Sequence, residues 1–288
     1  MPLTLITGEY RILNAAPDGD SVRFYPDDAD AWQAVGRSVR VNRAGGAQLR
    51  LEGIDALETH YQPQRSQLPS QRQPAALGRG AAAELLRLLG FEEVTRRADE
   101  TVTAARPAEV PGFILSRFAD TYGRPVSFAF AGDAPDDDGA DVFLDEALLA
   151  QSMNFRLLDQ GLVYPTFYTL LFPDLRTAMA DAARASRARR DGVWAEDATN
   201  SSFELTSLED ITERVVMLPK LFRRLLDYLA LNDGDLSLDG FRTYVEARDD
   251  RLLIVPTGHM TGFDFVIEVE GQRVRMTQQP EDLVFVEQ

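Results

Sequence analysis

Runs of apolar and polar residues mark several short strands in the first half of the chain. Tyr10 to Asn14 and Ser21 to Tyr25 read as strands, and Gln48-Leu-Arg-Leu-Glu-Gly-Ile54 alternates with a period of two. Strand-like pieces return at Thr101 to Ala105, Phe113 to Phe118 and Pro125 to Ala131. Between these groups, Gly80 to Leu89 is rich in Ala and Leu, and its spacing predicts a helix that Gly90 terminates. Two further helices are predicted over Asp145 to Gln160 and Asp174 to Arg190. Strands, a helix, more strands and then helices suit a small barrel with helices packed outside it.

Past residue 200 the pattern changes. Leu218, Leu221, Phe222, Leu225, Leu226 and Leu229 form an i, i+3, i+4, i+7 stripe, the apolar face of a helix within Leu208 to Leu231, with Pro219 at the start of its clearest part. Arg251 to Val255, Phe263 to Val269 and Arg273 to Met276 then read as an antiparallel meander, turning at Glu270-Gly-Gln272. The polar break Asp197-Ala-Thr-Asn-Ser-Ser202 is the expected boundary, dividing the chain into 1–200 and an acidic α+β region, 201–288. Two other segments lack periodicity. Tyr61 to Pro74, rich in Gln, Pro and Ser, reads as a loop, as does most of the acidic stretch Asp133 to Glu146.

Composition narrows the chemistry. The 288 residues contain no cysteine and two histidines, which excludes thiolate metal sites, cysteine nucleophiles and His-rich metal centres. The longest nearly apolar stretch, Leu162 to Phe172, is short of the ~20 residues a membrane span needs, so no membrane partner is expected and the expected location is cytoplasmic. Net charge is −16, and residues 201–288 carry 17 acids against 9 bases, a field that repels polyanions unless arginines are concentrated where they bind. Lys220 is the single lysine beside 29 arginines.

Three charged motifs stand in order along the first region. Asp18-Gly-Asp20-Ser21 sits at a turn entering a strand. Arg50-Leu-Glu-Gly-Ile-Asp55-Ala-Leu-Glu58 ends a strand with one base and two acids; the odd spacing of Arg50 and Asp55 requires a bend between them if they are to converge. Asp120-Thr-Tyr-Gly-Arg124 is a turn that delivers a second arginine into the next strand. Any one aspartate–arginine pair here reads equally as a surface ion pair.

Taken together, these motifs resemble the staphylococcal nuclease family, in which DGD, R-x4-D-x-x-E and D-x-Y-G-R occur in this order around a helix. The resemblance runs over about residues 8 to 198 and includes Glu146-Ala-Leu-Leu149, Gln160-Gly-Leu162 and Gly192-Val-Trp-Ala-Glu-Asp197. It implies an α+β fold: an OB-fold five-stranded β-barrel with three packed helices, here followed by a C-terminal α+β extension. It further implies a metal-dependent endonuclease, a phosphodiester hydrolase acting on DNA or RNA that leaves a 3′-phosphate and a 5′-hydroxyl. By that resemblance Asp20, Asp55 and the backbone carbonyl of Ala56 would hold a hard cation, calcium or alternatively magnesium, as oxygen ligands without His or Cys suggest. Glu58 would activate or orient water, and Arg50 and Arg124 would hold the phosphate oxygens through their planar forks.

The departures are specific. Ala56 and Leu57 stand where the family has Thr and Pro; Leu57 is expected to loosen the turn before Glu58. Tyr122 and Tyr168 are candidate substrate contacts, each with packing as the alternative role, and Trp194 is expected to anchor the last helix to the barrel. His60 reads as a solvated loop residue. Asp235-x-Ser237-x-Asp239-Gly240 with Glu246 follows a calcium-loop register, but Arg242 takes its apolar position, and the segment reads as a polar turn. A competing reading of the whole chain is a non-catalytic OB-fold module that binds nucleic acid or protein, favoured by the net charge and Leu57.

Overall fold

The computed structural model describes residues 2–36, 39–63, 68–232 and 235–287 and is a mixed α+β protein. It divides into two compact units: residues 1–54 with 80–157, and residues 55–79 with 158–288.

The first unit is built on a nearly closed β-barrel. Strands β1 (Leu3–Tyr10), β2 (Arg23–Pro26), β3 (Ala47–Gln48) and β4 (Arg50–Leu51) precede helix α1 (Ala75–Leu89), which passes from the second unit into the first, and strands β5 (Val110–Ala119) and β6 (Pro125–Ala131) follow it. The sheet order is β3-β2-β1-β5-β6-β4. β3 and β4 are the two ends of one short run, so residues 47–51 pair with β2 at their start and with β6 at their end, bringing the sheet round on itself and covering its edges. The alternation predicted over Gln48–Ile54 holds through Leu51, where Leu49 and Leu51 are buried and Gln48 and Arg50 only partly so, and then ends, because Glu52 is buried as well. Inside, Tyr10 is fully buried, and its hydroxyl bonds the carbonyls of Phe113 and Phe130, satisfying the one polar atom that burial would strand.

α1 ends as expected: Gly90 adopts φ +114°, and the amide of Phe91 returns to the carbonyl of Leu86. The single helix expected over 145–160 is two, α2 (Glu146–Leu149) and α3 (Met153–Asp159). Asp145 caps the first through the amide of Leu148, and Ser152 starts the second by accepting from the amide of Phe155. A capping serine inside an otherwise helical spacing is what divides them.

The second unit gathers β7 (Phe167–Tyr168), α4 (Pro173–Arg189), β8 (Phe203–Glu204), α5 (Pro219–Leu231), β9 (Arg251–Ile254), β10 (His259–Gly262), β11 (Ile267–Glu270), β12 (Arg273–Met276) and β13 (Leu283–Phe285). Its sheets run β7-β13-β9-β10 and β8-β12-β11. The stripe predicted on α5 is its core face: Leu218, Leu221, Phe222, Leu225, Leu226 and Leu229 are all buried. Only the second half of the expected 208–231 helix is α-helical; Asp210–Arg214 is a single π turn. The strand expected over 263–269 is interrupted by a 3-10 turn at Phe263–Val266.

The boundary expected at residue 200 does not coincide with this division. Thr199 is fully buried; its hydroxyl accepts from the amide of Leu218, and its carbonyl from that of Met276. Asn200 donates to the carbonyls of Met276 and Gln278. Polar residues at 197–202 are here satisfying backbone groups inside one unit, which composition alone cannot distinguish from a linker. Trp194, expected against the barrel, packs in the second unit, edge-on to Tyr164 at 5.0 Å with its indole N–H on Ser186. Lys220 is enclosed there too, with Nζ 3.2 Å from Asp250 and 4.3 Å from the ring centroid of Phe285.

Candidate functional site

The residues that the nuclease resemblance implies divide between the two units: Asp20, Arg50, Tyr122 and Arg124 lie in the first, and Asp55, Ala56, Glu58 and Tyr168 in the second.

In the first unit the sheet brings three of them to neighbouring backbone positions. The amide of Leu51 donates to the carbonyl of Asp20 at 2.8 Å, which sets the DGD turn beside β4. On the other side of β4, Arg50 is paired with Val126, two residues after Arg124. Leu49 and Leu51 take the core face, so Arg50 uses the other. The D-x-Y-G-R turn has an internal logic. Asp120, buried, accepts from the amides of Tyr122 and Arg124 and from Nε of Arg124 at 2.8 Å. Gly123 takes φ +79°, where a side chain would be strained. Asp120 thus fixes the turn and the arginine together, with 37% of the arginine side chain left exposed. Tyr122 is 68% exposed, and the Arg124 guanidinium lies 5.5 Å from its ring centroid. It is therefore no core residue.

Asn154 has a part here that sequence reasoning missed. Fully buried, it accepts from the amide of Ala129 and donates to the carbonyls of Glu52 and Ser127, holding α3 to the place where the chain leaves the barrel. The bend required between Arg50 and Asp55 is present, at Gly53 with φ +79°.

In the second unit, Asp55 and Glu58 converge on one guanidinium. Arg223 of α5 places Nη1 and Nη2 at 3.0 and 2.7 Å from the two oxygens of Asp55, and Nη1 also lies 2.5 Å from Glu58. Burial works against the charge on Arg223, but Asp55 and Glu58 outweigh it and hold the guanidinium well above its ordinary pKa. Gln73, fully buried, accepts from the amide of Glu58 and donates to the carbonyl of Met217. One turn along α5, Asp227 accepts from the hydroxyl of Tyr61 at 3.0 Å. Burial, and secondarily the Asp227 carboxylate, push the Tyr61 phenol up from its usual range. Leu57, expected to loosen this turn, has its side chain buried in the core of the second unit.

Tyr168 is half-buried, with its ring 5.9 Å from Phe285 and 5.8 Å from Lys220. His60 is exposed. In the expected loop of 61–74, Tyr61 and Gln71 pair through their backbones, and residues 64–67 lie outside the described residues. Around Asp235, the hydroxyl of Tyr228 donates to the carbonyl of Ser237 and accepts from the amide of Gly240, consistent with a fastened polar turn.

Among the described residues no group of three or more His, Asp or Glu side chains is disposed to hold a metal ion. The oxygen donors suit a hard cation in kind, but Asp55 already has both oxygens on Arg223, and Glu58 shares that guanidinium. As arranged, this donor set does not fit a resident calcium ion. No helix among the described residues is long and apolar enough to cross a membrane. In comparisons with known proteins, no family model and no curated protein matches the chain, so the nuclease resemblance rests on the motifs themselves.

Proposed function

We propose that the protein is a phosphodiesterase of the staphylococcal nuclease type, with an OB-fold barrel in its first unit, acting on DNA or RNA. The observation that carries this reading is the barrel's placement of the Asp20 turn, Arg50 and the Arg124 turn on adjacent backbone segments. Two arginines beside an acidic turn, one held in a fixed orientation by Asp120, suit a phosphate whose charge builds during in-line attack. In this reading Arg50 and Arg124 hold the phosphate oxygens, and Glu58 orients the attacking water. Phosphodiester cleavage measured on single-stranded DNA with calcium, magnesium or EDTA tests it. Glu58→Gln should lower turnover by ~10²-fold or more, as loss of a general base does. Unchanged turnover removes Glu58 from the mechanism, and no cleavage under any condition, by the wild type or by Arg223→Met, rejects the reading.

A second reading, the non-catalytic module binding nucleic acid or protein, is favoured by one observation: Asp55 and Glu58 already share Arg223 as their counter-charge. It is separated from the first by single-stranded DNA binding without turnover. Because Arg50, Arg124 and neighbouring arginines would contact few phosphates, roughly two to four, the salt dependence should be shallow, with a slope of about −0.7 for each phosphate contacted.

A further inference from the structure

Arg223 is too well built into the second unit to be an incidental surface contact. Its neighbours Leu221, Phe222, Leu225 and Leu226 are all fully buried, so the helix that carries it is fixed by its core face. The segment that carries the two acids is tied to that helix by further polar bonds. Gln73 links the amide of Glu58 to the carbonyl of Met217, just before α5, and Tyr61 reaches Asp227 one turn beyond Arg223. The next arginine, Arg224, is spent on Asp250 at 2.5 Å and cannot take its place.

The chemistry at the pair is that of a cation site with an organic cation in it. The planar fork meets both oxygens of Asp55, the geometry in which guanidinium competes best for a carboxylate, and one nitrogen is shared with Glu58. A divalent ion bound to the same oxygens would face the guanidinium at close range in a poorly solvated place, so the two cations exclude each other. We propose that the Arg223 guanidinium is the resident counter-ion of the Asp55–Glu58 pair and keeps divalent cations out of it. For its functional meaning, a nuclease held without its metal, this inference rests on the phosphodiesterase reading; the exclusion itself does not.

The test is calcium titration of the full chain by calorimetry, with melting temperature followed in parallel. Arg223→Met should bind calcium at least about tenfold tighter than wild type and melt higher when calcium is added, since ligand binding to the folded state alone stabilises it. Arg223→Lys, which keeps a charge but loses the fork, should fall between the two and decides the matter should the methionine variant not fold. Adding Asp55→Asn to Arg223→Met should abolish the gain. Equal calcium affinity in wild type and both Arg223 variants overturns the proposal, as does a gain that survives Asp55→Asn. Cleavage is measured separately: a variant that gains calcium but cuts no DNA rejects the nuclease reading and leaves the counter-ion role standing.

Discussion

Arg124 and Arg223 each grip a buried aspartate, yet the two contacts are made in opposite ways. In the first unit, Asp120 and Arg124 are four residues apart in one turn, and the carboxylate also takes two amides of that turn. In the second, Arg223 and Asp55 are 168 residues apart, and the arginine brings its own helix to a carboxylate pair. The local contact fixes a loop and presents a cation outward. The remote contact encloses a cation and shares its charge between two acids. Asp210 offers a third case, a local one in the second unit: it accepts from the amides of Thr206 and Ser207 and from Arg214, four residues on.

The contrast can be broken by removing one partner at a time and measuring unfolding by urea with a chelator present. Arg223→Met should cost most, about 3–5 kcal/mol, because two neighbouring carboxylates lose their shared counter-charge. A loss below about 1 kcal/mol would make the remote contact no stronger than a surface pair. Asp120→Ala should cost about 2–3 kcal/mol, since three donors lose one charged acceptor, and the loss should fall on the Arg124 turn. Amide exchange confined to residues 119–125 would show this; exchange spread through the barrel would not.

Asp210→Asn should cost less, about 1–2 kcal/mol at neutral pH, with a distinctive pH dependence. Burial opposes ionisation of Asp210, but the amide and hydroxyl of Thr206, the amide of Ser207 and Arg214 outweigh it and hold the carboxyl at about 2, below its ordinary 3.8. Because the folded value is the lower, the stabilisation is complete above pH 3.8 and is lost as pH falls through about 2. The variant's deficit should therefore shrink over that window; a deficit that is flat with pH assigns Asp210 a packing role only. Arg124→Lys should be the smallest change, under about 1 kcal/mol, because the partly exposed side chain keeps its charge.

These cases also explain what could be read from the chain in advance. Asp120 and Arg124 lie within one motif, and the turn they make follows from local spacing and Gly123. The apolar stripe of α5 was legible because a buried helix face imposes its period on the sequence. Arg223, sitting inside that stripe, gave no signal, since an arginine on an amphipathic helix is ordinarily a solvated one. The compact units do not divide at residue 200, and the pattern could not have shown it: Thr199, Asn200 and Gln73 satisfy backbone groups far away in sequence, and polar residues doing so look like polar residues in a linker. The burial of Leu57 was not legible from the motif, because the core residues it joins, such as Met217 and Leu218, lie far away in sequence.

Lys220 carries the one side-chain amine in the protein, and it is shut between Asp250 and the ring of Phe285 with 9% of its side chain exposed. Amine-directed chemistry, whether an acetyl donor or a reactive ester, therefore has a single internal lysine to find and reaches it only when that core opens. Its labelling rate becomes a built-in clock for the opening of the second unit, readable by mass without any added probe. Arg223 rides on the same helix, so a cation that drew the helix away from Asp55 and Glu58 would be expected to make that clock run faster.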